Sequence, residues 1–360
     1  MIISVVIGTR PEIIKISPLL RRMVQEHLDH YVIHTGQHYS HNMDRIFFDE
    51  LGLREPDYNL QVGSGTHAEE TGKMMIEIEK VLKKIQSNLV LVLGDTNTAL
   101  AGALSAVKLH IKIGHIEAGL RCYDRRTPEE VNRVVVDHVS DYLFAPTEVA
   151  VKNLIAESIM ERSIFLTGNT IVDAVYENSK IAEEKSNILS KLNLKSKEYF
   201  LVTAHREENT NFKDKLSGII EGLNLVADYF STPIVFPIHP RTDNAIKKFN
   251  LKISDKICLI PPLGYLDFLK LLINSKLVLT DSGGIQEEAC ILKIPCGTLR
   301  ESTERPETLT VGSNILVGTN PDKILEGVKY MIDKKPEWVN PFGDGKASEK
   351  IIKIINSLKV

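Results

Sequence analysis

The chain has 360 residues, more than a single hydrophobic core usually organises, so we expect two domains. Its 44 Lys and Arg residues nearly balance its 47 Asp and Glu residues, which argues against a basic face that binds nucleic acid. The 4 cysteines form no Cys-x-x-Cys pair and have no histidine at zinc-ligand spacing, so we expect no metal and reduced thiols. The apolar run 2–7 is too short for a signal peptide or a membrane span, which favours a cytoplasmic protein without membrane contact.

Apolar runs rich in β-branched residues predict a series of buried parallel strands in the first half of the chain, with helices between them. The predicted strands are 2–7, 31–35, 89–93, 111–116, 142–145 and 164–167. Strands that alternate with helices form βαβ units, in which the carboxyl ends of the strands lie at one edge of the sheet. Polar residues that follow these strands are therefore expected to line one crevice.

Two cations follow the first predicted strand. Arg10 and Lys15 stand near its carboxyl end, where they suit a diphosphate or a leaving group, although a surface Arg and a helix Lys are the simpler alternative. Only Gly8 occupies the turn, so the G-x-G-x-x-G pattern of a dinucleotide site is missing. We therefore expect no nicotinamide or flavin cofactor.

Carboxylates follow the third and fourth strands of this series. Asp95 and Glu117 should point into the same crevice, although a single Asp after a strand is often a helix N-cap. Glu129 and Arg133 come next, at a spacing that is typical of a surface ion pair on a helix. Because that helix begins soon after Glu117, its first turn is also expected to face the crevice.

A second series of strands is predicted at 200–203, 234–237, 257–261 and 277–279. Two of these strands end in a histidine with an arginine nearby: His205 with Arg206, and His239 with Arg241. A histidine at a strand end can move a proton near neutral pH or hold a phosphate when it is charged. A structural role is the alternative, and the repetition of the pattern weakens it.

The sequence Ser282-Gly283-Gly284 joins the last of these strands to a helix. Backbone N–H groups at such a turn, with no side chains on the glycines, favour a phosphate at the positive end of the helix. Glu288 lies one helical turn further on, where its carboxylate could accept hydrogen bonds from both hydroxyls of a ribose. The alternative is an ordinary βα turn followed by a solvated acidic helix turn.

The two series predict an α/β protein with two Rossmann-like, doubly wound domains and an interdomain cleft. We place the amino-terminal domain at residues 1–169 and the carboxy-terminal domain, which would bind a nucleotide diphosphate, at residues 170–345.

Seven short motifs resemble those of the non-hydrolysing UDP-N-acetylglucosamine 2-epimerases, in the family's order. They are GTRPEIIK (8–15), LGDTNT (93–98), HIEAGLR (115–121), PEEVNR (128–133), His-Arg-Glu (205–207), DSGGIQEEA (281–289) and TERPET (303–308). The resemblance implies a GT-B fold whose last helix, about 346–360, packs back on the first domain, and a homodimer. It also implies reversible C2 epimerisation of UDP-GlcNAc to UDP-ManNAc, for polysaccharide or glycan synthesis, without a cofactor or a metal.

The same resemblance assigns roles to residues at matching positions. The catalytic residues would be Asp95, Glu117, Glu129 and His205. The substrate-binding residues would be Arg10, Lys15, Arg133, Leu263, Phe268, Ser282, Gly283, Gly284, Glu288 and Arg305, of which Leu263 and Phe268 would line a uracil pocket. Some members of the family bind a second UDP-GlcNAc through a Gln-His-x-x-Gln segment; here the segment is Gln37-His38-Tyr39-Ser40 and the second Gln is missing.

Three other functions remain open at this stage. A close relative could act on a modified sugar nucleotide, such as a UDP-2,3-diacetamido-uronic acid, or could hydrolyse its substrate and release free ManNAc. A GT-B glycosyltransferase is the less favoured alternative, because transfer to an acceptor needs one base, whereas the sequence offers the carboxylates Asp95, Glu117 and Glu129.

Overall fold

The computed structural model describes residues 1–36 and 47–358, and the chain divides into two compact units. The first unit comprises Met1–Glu177 with Phe342–Val360, and the second comprises Asn178–Pro341. Each unit contains one parallel β-sheet with helices between successive strands. The predicted α/β class with two Rossmann-like domains of the GT-B type is therefore confirmed.

The strands of the first unit are β1 Ile3–Ile7, β2 His30–His34, β3 Tyr58–Asn59, β4 Leu89–Leu93, β5 Lys112–Ile116, β6 Tyr142–Ala145 and β7 Ile164–Leu166. They form one sheet in the order β3-β2-β1-β4-β5-β6-β7. The helices that follow them are α1 Arg10–Gln25, α2 His67–Ile85, α3 Asn97–Lys108, α4 Pro128–Val139, α5 Glu148–Ala156 and α6 Thr170–Lys185. The last of these helices contains the boundary between the two units.

The register of the central strands fixes the level at which they end. Val6 in β1 is paired with Val92 in β4, and Leu93 is paired with Ile116 in β5. All five residues of β1 and of β4 are buried, because helices cover both faces of the sheet. The residues that follow these three strands therefore emerge at the same edge, as the βαβ pattern predicts.

The strands of the second unit are β8 Phe200–Thr203, β9 Ile234–Pro237, β10 Ile257–Ile260, β11 Leu277–Thr280, β12 Cys296–Thr298 and β13 Asn314–Leu316. They form a parallel sheet in the order β10-β9-β8-β11-β12-β13. The helices are α7 Ile188–Lys191, α8 Glu207–Thr210, α9 Lys213–Phe230, α10 Pro240–Phe249, α11 Tyr265–Asn274, α12 Gly283–Ile291, α13 Pro306–Thr310 and α14 Pro321–Ile332. Apolar residues of β8, β9, α9 and α14 form the core on one face of this sheet.

The final helix, α15 Ala347–Ser357, belongs to the first unit and packs against α1. Its first turn is held by the buried side chain of Asp173, which accepts hydrogen bonds from the backbone N–H groups of Ala347 at 3.1 Å and Ser348 at 2.8 Å. A carboxylate at a helix N-terminus satisfies N–H groups that have no partner within the helix. Within residues 1–36 and 47–358, no helix is both long and apolar enough to cross a bilayer.

The turn after β5 contains a glycine that the fold requires. Gly119 has a φ of +81°, and a Cβ atom there would lie 2.4 Å from the backbone oxygen of Ala150. Gly168 also has a positive φ, of +89°, but its nearest neighbour would be at an ordinary 3.7 Å from an added Cβ. Both positions require a left-handed backbone, but only Gly119 would also bring an added Cβ into steric overlap, so a comparison of the two separates these costs.

We expect Gly119→Ala to lower the free energy of unfolding by about 2 kcal/mol more than Gly168→Ala, which should cost only the left-handed strain of about 1–2 kcal/mol. Urea denaturation followed by circular dichroism measures both variants. Equal losses in the two variants would show that the turn after Glu117 adjusts to the added methyl group.

Candidate active site

Lys15 and Glu117 meet at the edge of the first sheet. The Lys15 Nζ atom lies 2.6 Å from Glu117 Oε1, and the Glu117 side chain is only 6% exposed. Glu117 follows β5 directly and has a φ of +68°, a left-handed conformation that is uncommon for residues other than glycine. Such outliers concentrate at functional sites, where the surrounding structure maintains them. The sequence placed both residues at this edge, and the structure pairs them.

Asp95 is held by a helix that lies far from it in sequence. Its Oδ2 atom lies 2.5 Å from Arg133 Nη2, and its backbone oxygen accepts a hydrogen bond from the Asn132 side chain at 2.9 Å. The N-cap interpretation of Asp95 is wrong, because the side chain of Thr96 caps α3 by accepting from Ala99 N. Asp95 is therefore left to interact with groups outside its own helix.

Arg133 does not follow the expected pattern of a surface ion pair with Glu129. Its side chain is 13% exposed and contacts Asp95 and Glu130 instead, with a distance of 2.9 Å to Glu130 Oε2. Burial alone lowers the pKa of Arg133, but the two carboxylates more than offset this effect and raise it above its ordinary value. The guanidinium is therefore a permanent positive charge beside Asp95.

Glu129 is exposed and shares a depression with Asp95. The volume of this depression is about 530 Å³, which falls within the range of small-molecule sites. Its lining residues all belong to the first unit: Thr9, Gly65, Thr66, His67, Glu70, Asp95, Thr96, Asn97, Pro128, Glu129 and Asn132. The exposed carboxylate of Glu129 and the carboxylate of Asp95, which is paired with Arg133, thus face the same depression.

Glu12 is a buried site residue that the sequence analysis missed. Its Oε2 atom accepts hydrogen bonds from the backbone N–H groups of Gly8 and Thr9, and its Oε1 atom accepts one from Thr96 Oγ1 at 2.7 Å. Burial raises the pKa of Glu12, and the hydrogen bond from Thr96 counteracts part of that rise. The Thr-x-x-Glu spacing of Thr9 and Glu12 is a capping-box signature and could have revealed the residue. Its contact to the end of β4 has no such local signal.

In the second unit, the Ser282 turn joins β11 to α12. The backbone N–H of Ser282 donates to Thr280 Oγ1 at 3.0 Å, so the expectation that this N–H is free is wrong. A Cβ atom added to Gly283 or Gly284 would meet only ordinary contacts, at 3.7 Å and 4.0 Å. Neither glycine is required by packing or by a positive φ; Gly283 is buried and Gly284 is exposed, so the backbone of Gly284 is accessible.

Glu288 lies in α12, Phe268 lies in α11, and Leu263 comes just before α11. Glu288 is 6% exposed and accepts a hydrogen bond from the Tyr265 hydroxyl at 3.1 Å. Leu263 and Phe268 are partly buried and pack on the core beneath these helices. Tyr265, which the sequence analysis did not assign, orients the Glu288 carboxylate.

His205 and Arg305 are each held by a buried carboxylate in the second unit. His205 Nδ1 lies 3.1 Å from Asp281 Oδ1, and Asp281 Oδ2 also accepts from the backbone N–H of His205 at 2.9 Å. Burial raises the pKa of Asp281, but His205 and the backbone donors outweigh it and lower the pKa. Arg305 Nε lies 2.7 Å from Glu287 Oε1. Asp281 was missed by the sequence analysis, although its place at a strand end matches that of Asp95.

Arg10 is the last candidate of the first unit, and it lies beside an aromatic ring. Arg10 is exposed, with its guanidinium carbon 5.9 Å from the centre of the Phe47 ring. Gln37 and His38 lie outside the described residues. Within 1–36 and 47–358 no group of three or more His, Cys, Asp or Glu side chains is arranged to hold a metal ion.

Comparison with known proteins identifies what the chain is similar to. The family model described as UDP-N-acetylglucosamine 2-epimerase matches residues 22–356. A UDP-N-acetylglucosamine 2-epimerase from Methanocaldococcus jannaschii is 55% identical, with 99% of each chain covered. A crystal structure of the M. jannaschii enzyme in complex with UDP-GlcNAc and UDP has a TM-score of 0.89, with 99% of each chain covered. A UDP-2,3-diacetamido-2,3-dideoxy-D-glucuronate 2-epimerase from Pseudomonas aeruginosa is 42% identical, with 99% of this chain and 100% of the relative covered.

The hydroxyl of Thr96 both caps α3 and bonds Glu12, whereas the hydroxyl of Thr147 only caps α5. We expect Thr96→Val to lower the free energy of unfolding by about 2 kcal/mol more than Thr147→Val, because it also leaves a buried carboxylate oxygen without its donor. Urea unfolding of both variants measures the difference. If the two variants lose the same free energy of unfolding, the hydrogen bond between Thr96 and Glu12 contributes nothing to stability.

Proposed function

The chain belongs to the UDP-N-acetylglucosamine 2-epimerase family, and on that premise we propose that it interconverts UDP-GlcNAc and UDP-ManNAc. The support is 55% identity, over 99% of both chains, to a UDP-N-acetylglucosamine 2-epimerase, together with carboxylates at the strand ends of the first unit. Inversion at C2 requires proton transfer on opposite faces of the sugar, and carboxylates are suitable groups for that task.

The proposed reaction begins with loss of the nucleotide. The C2 hydrogen of an N-acetylhexosamine has no neighbouring carbonyl on the ring, so direct deprotonation is too costly. Cleavage of the bond between C1 and the phosphate oxygen releases UDP with the electron pair, and a carboxylate takes the C2 proton, which leaves 2-acetamidoglucal. UDP then adds back to C1 while a proton is delivered to the other face of C2. No electrons are gained or lost overall, so the reaction needs no redox cofactor.

Asp95, Glu117 and Glu129 are the proposed acid–base groups, and their surroundings differ. Glu117 is buried beside Lys15, Asp95 is partly exposed beside Arg133, and Glu129 is exposed. Carboxylates in different environments can hold different protonation states at the same pH, as acid and base roles require. Arg10 and Lys15 are proposed to stabilise the charge that develops on UDP as it leaves.

The second unit is proposed to hold the nucleotide. Gly283, Gly284 and the Ser282 hydroxyl would cradle the diphosphate at the start of α12, with His205 and Arg305 as cationic partners. Glu288 would accept hydrogen bonds from the ribose, and Leu263 and Phe268 would contact uracil. The support is the exposed Gly284, the room around both glycines and the orientation of Glu288 by Tyr265.

A second candidate substrate is favoured by one observation. The 42% identical P. aeruginosa relative is a 2-epimerase of a UDP-diacetamido-uronate, so the substituents at C3 and C6 are not fixed by the family. We propose the unmodified N-acetyl sugar because the more similar relative is named for it. We also propose retention of UDP rather than hydrolysis, a cytoplasmic homodimer, and supply of UDP-ManNAc for glycan synthesis.

Incubation of the purified protein with UDP-GlcNAc in D₂O, without added cofactor, tests the reaction. We expect deuterium at C2 of both epimers, with UDP still attached, because the proton removed from C2 exchanges with solvent before it returns. Proton NMR measures the exchange. Glu117→Gln should lose this activity, since it removes the carboxylate charge that lies beside Lys15.

The products distinguish the alternatives. Free ManNAc and UDP as the only products would identify a hydrolysing enzyme, and turnover of only the diacetamido-uronate would identify the modified substrate. Absence of C2 exchange with either sugar nucleotide would contradict the proposed reaction.

Ribose recognition by Glu288 is tested by comparing UDP with 2′-deoxy-UDP. We expect wild-type protein to bind UDP about 10-fold more tightly, because a hydrogen bond to a carboxylate contributes about 1.5 kcal/mol or more. Glu288→Gln should weaken UDP binding and remove most of the preference. The exposed Glu326→Gln on α14 is the control and should retain it. A full preference in Glu288→Gln, measured by calorimetry, would assign the ribose contact to another residue.

A further inference from the structure

A buried histidine lies beneath the two paired carboxylates of the first unit. His115 is in β5, two residues before Glu117, and its side chain is 0% exposed. Its Nδ1 atom lies 2.6 Å from Asp137 Oδ1, and its Nε2 atom lies 2.8 Å from the backbone oxygen of Gly94. Both ring nitrogens therefore face oxygen atoms at hydrogen-bond distance.

Both of these oxygen atoms are acceptors. A backbone carbonyl cannot donate, and an ionised carboxylate accepts only. Asp137 is kept ionised by contacts other than His115: its Oδ2 atom lies 2.7 Å from Arg121 Nη1 and accepts the backbone N–H of Gly119 at 3.1 Å, and both donors favour the charged carboxylate. A neutral imidazole would direct the lone pair of one nitrogen at an oxygen lone pair. Only a ring with a proton on each nitrogen satisfies both contacts.

The charges around the ring also balance when it is protonated. Asp137 Oδ2 lies 2.7 Å from Arg121 Nη1, and Arg121 is paired in turn with Glu157 at 2.7 Å. With a charged His115 these four side chains sum to zero, whereas a neutral ring would leave one negative charge among them. The exposed His138 lies 3.9 Å from Glu157 Oε2, at the outer end of the cluster away from the ring's own contacts. Isolated buried charge is costly, so neutrality favours the imidazolium.

The contacts of this cluster lead to both paired carboxylates. Gly94, whose carbonyl His115 binds, immediately precedes Asp95 and has a φ of +70°. Gly119, which donates its N–H to Asp137 Oδ2 at 3.1 Å, follows Glu117 by two residues. The two strand ends are thus tied to one buried charge network.

We propose that His115 is a permanent imidazolium that acts, through Asp137 and Gly94, as a positioning residue for Asp95 and Glu117. This role rests on the proposed function, because those two carboxylates are taken to act on the sugar. The protonation state itself does not depend on any substrate. A structural histidine would stabilise the fold without changing the rate of catalysis selectively.

NMR of protein labelled with ¹⁵N-histidine tests the protonation state without substrate. We expect both ring nitrogens of His115 to carry protons in the folded protein near neutral pH, because both face hydrogen-bond acceptors. The exchange-protected ring protons should disappear in His115→Gln. In Asp137→Asn the ring should carry a single proton, since its ionic partner is removed. A singly protonated ring in the wild-type protein near pH 7 overturns the proposal.

Steady-state kinetics of epimerisation test the positioning role. We expect His115→Gln and Asp137→Asn to reduce kcat by about 100-fold with little change in KM, because the carboxylates move while the nucleotide contacts of the second unit stay. His110→Gln, at an exposed histidine just before β5, is the control and should keep wild-type values. Thermal melts establish that each variant is folded.

The outcomes separate this inference from the proposed function. A folded His115→Gln enzyme with wild-type kcat overturns the positioning role, even if the NMR result holds. Lack of epimerisation by the wild-type protein contradicts the proposed function and leaves the NMR measurement to decide the charge state. If neither variant folds, NMR of the wild-type protein still decides the charge state of His115. The ring signals are then assigned by connecting them to the backbone resonances of the same residue.

Discussion

Parallel pairing of β1, β4 and β5 is the constraint on which the rest of the first unit depends. Val6 is aligned with Val92 and Leu93 with Ile116, so the three strands end at one level. A slip of one residue would exchange the faces of every side chain in a strand, which burial on both sides of the sheet opposes. The register therefore determines which residues follow each strand at the edge, and those residues are the cations and carboxylates of the candidate site.

Charge pairing then determines how these residues are held. Glu117 has Lys15, Asp95 has Arg133, and Asp137 lies between a histidine and an arginine. A carboxylate removed from water without a partner would take up a proton rather than stay charged. The paired arrangement offsets the cost of burying such groups and fixes their positions. Glu129 differs, because its side chain is exposed to solvent.

The second unit uses the same architecture for a different kind of binding. Its strand-end carboxylate, Asp281, is fully buried and orders the backbone that leads to α8, whereas Asp95 is partly exposed. The exposed groups are instead Gly284 at the start of α12 and, near it, the partly exposed side chains of His205 and Arg305. A polar backbone with cations suits a phosphate, and paired carboxylates suit proton transfer. Two similar sheets thus offer complementary chemistry.

The sequence by itself determined the strands with long apolar runs, and 89–93, 142–145, 200–203 and 234–237 agree with the structure residue for residue. It missed β3, β12 and β13, because none of these short strands is an unbroken run of large apolar residues as β7 is. It also determined which acids and cations lie at the strand ends, since parallel topology alone brings them to one edge. Only the tertiary structure decided their partners: Arg133 with Asp95 rather than Glu129, Glu12 with Thr96, and His115 with Asp137. These contacts join residues that are far apart in sequence. They form only when the helices pack on the sheet, and that packing leaves no local periodic signal in the sequence.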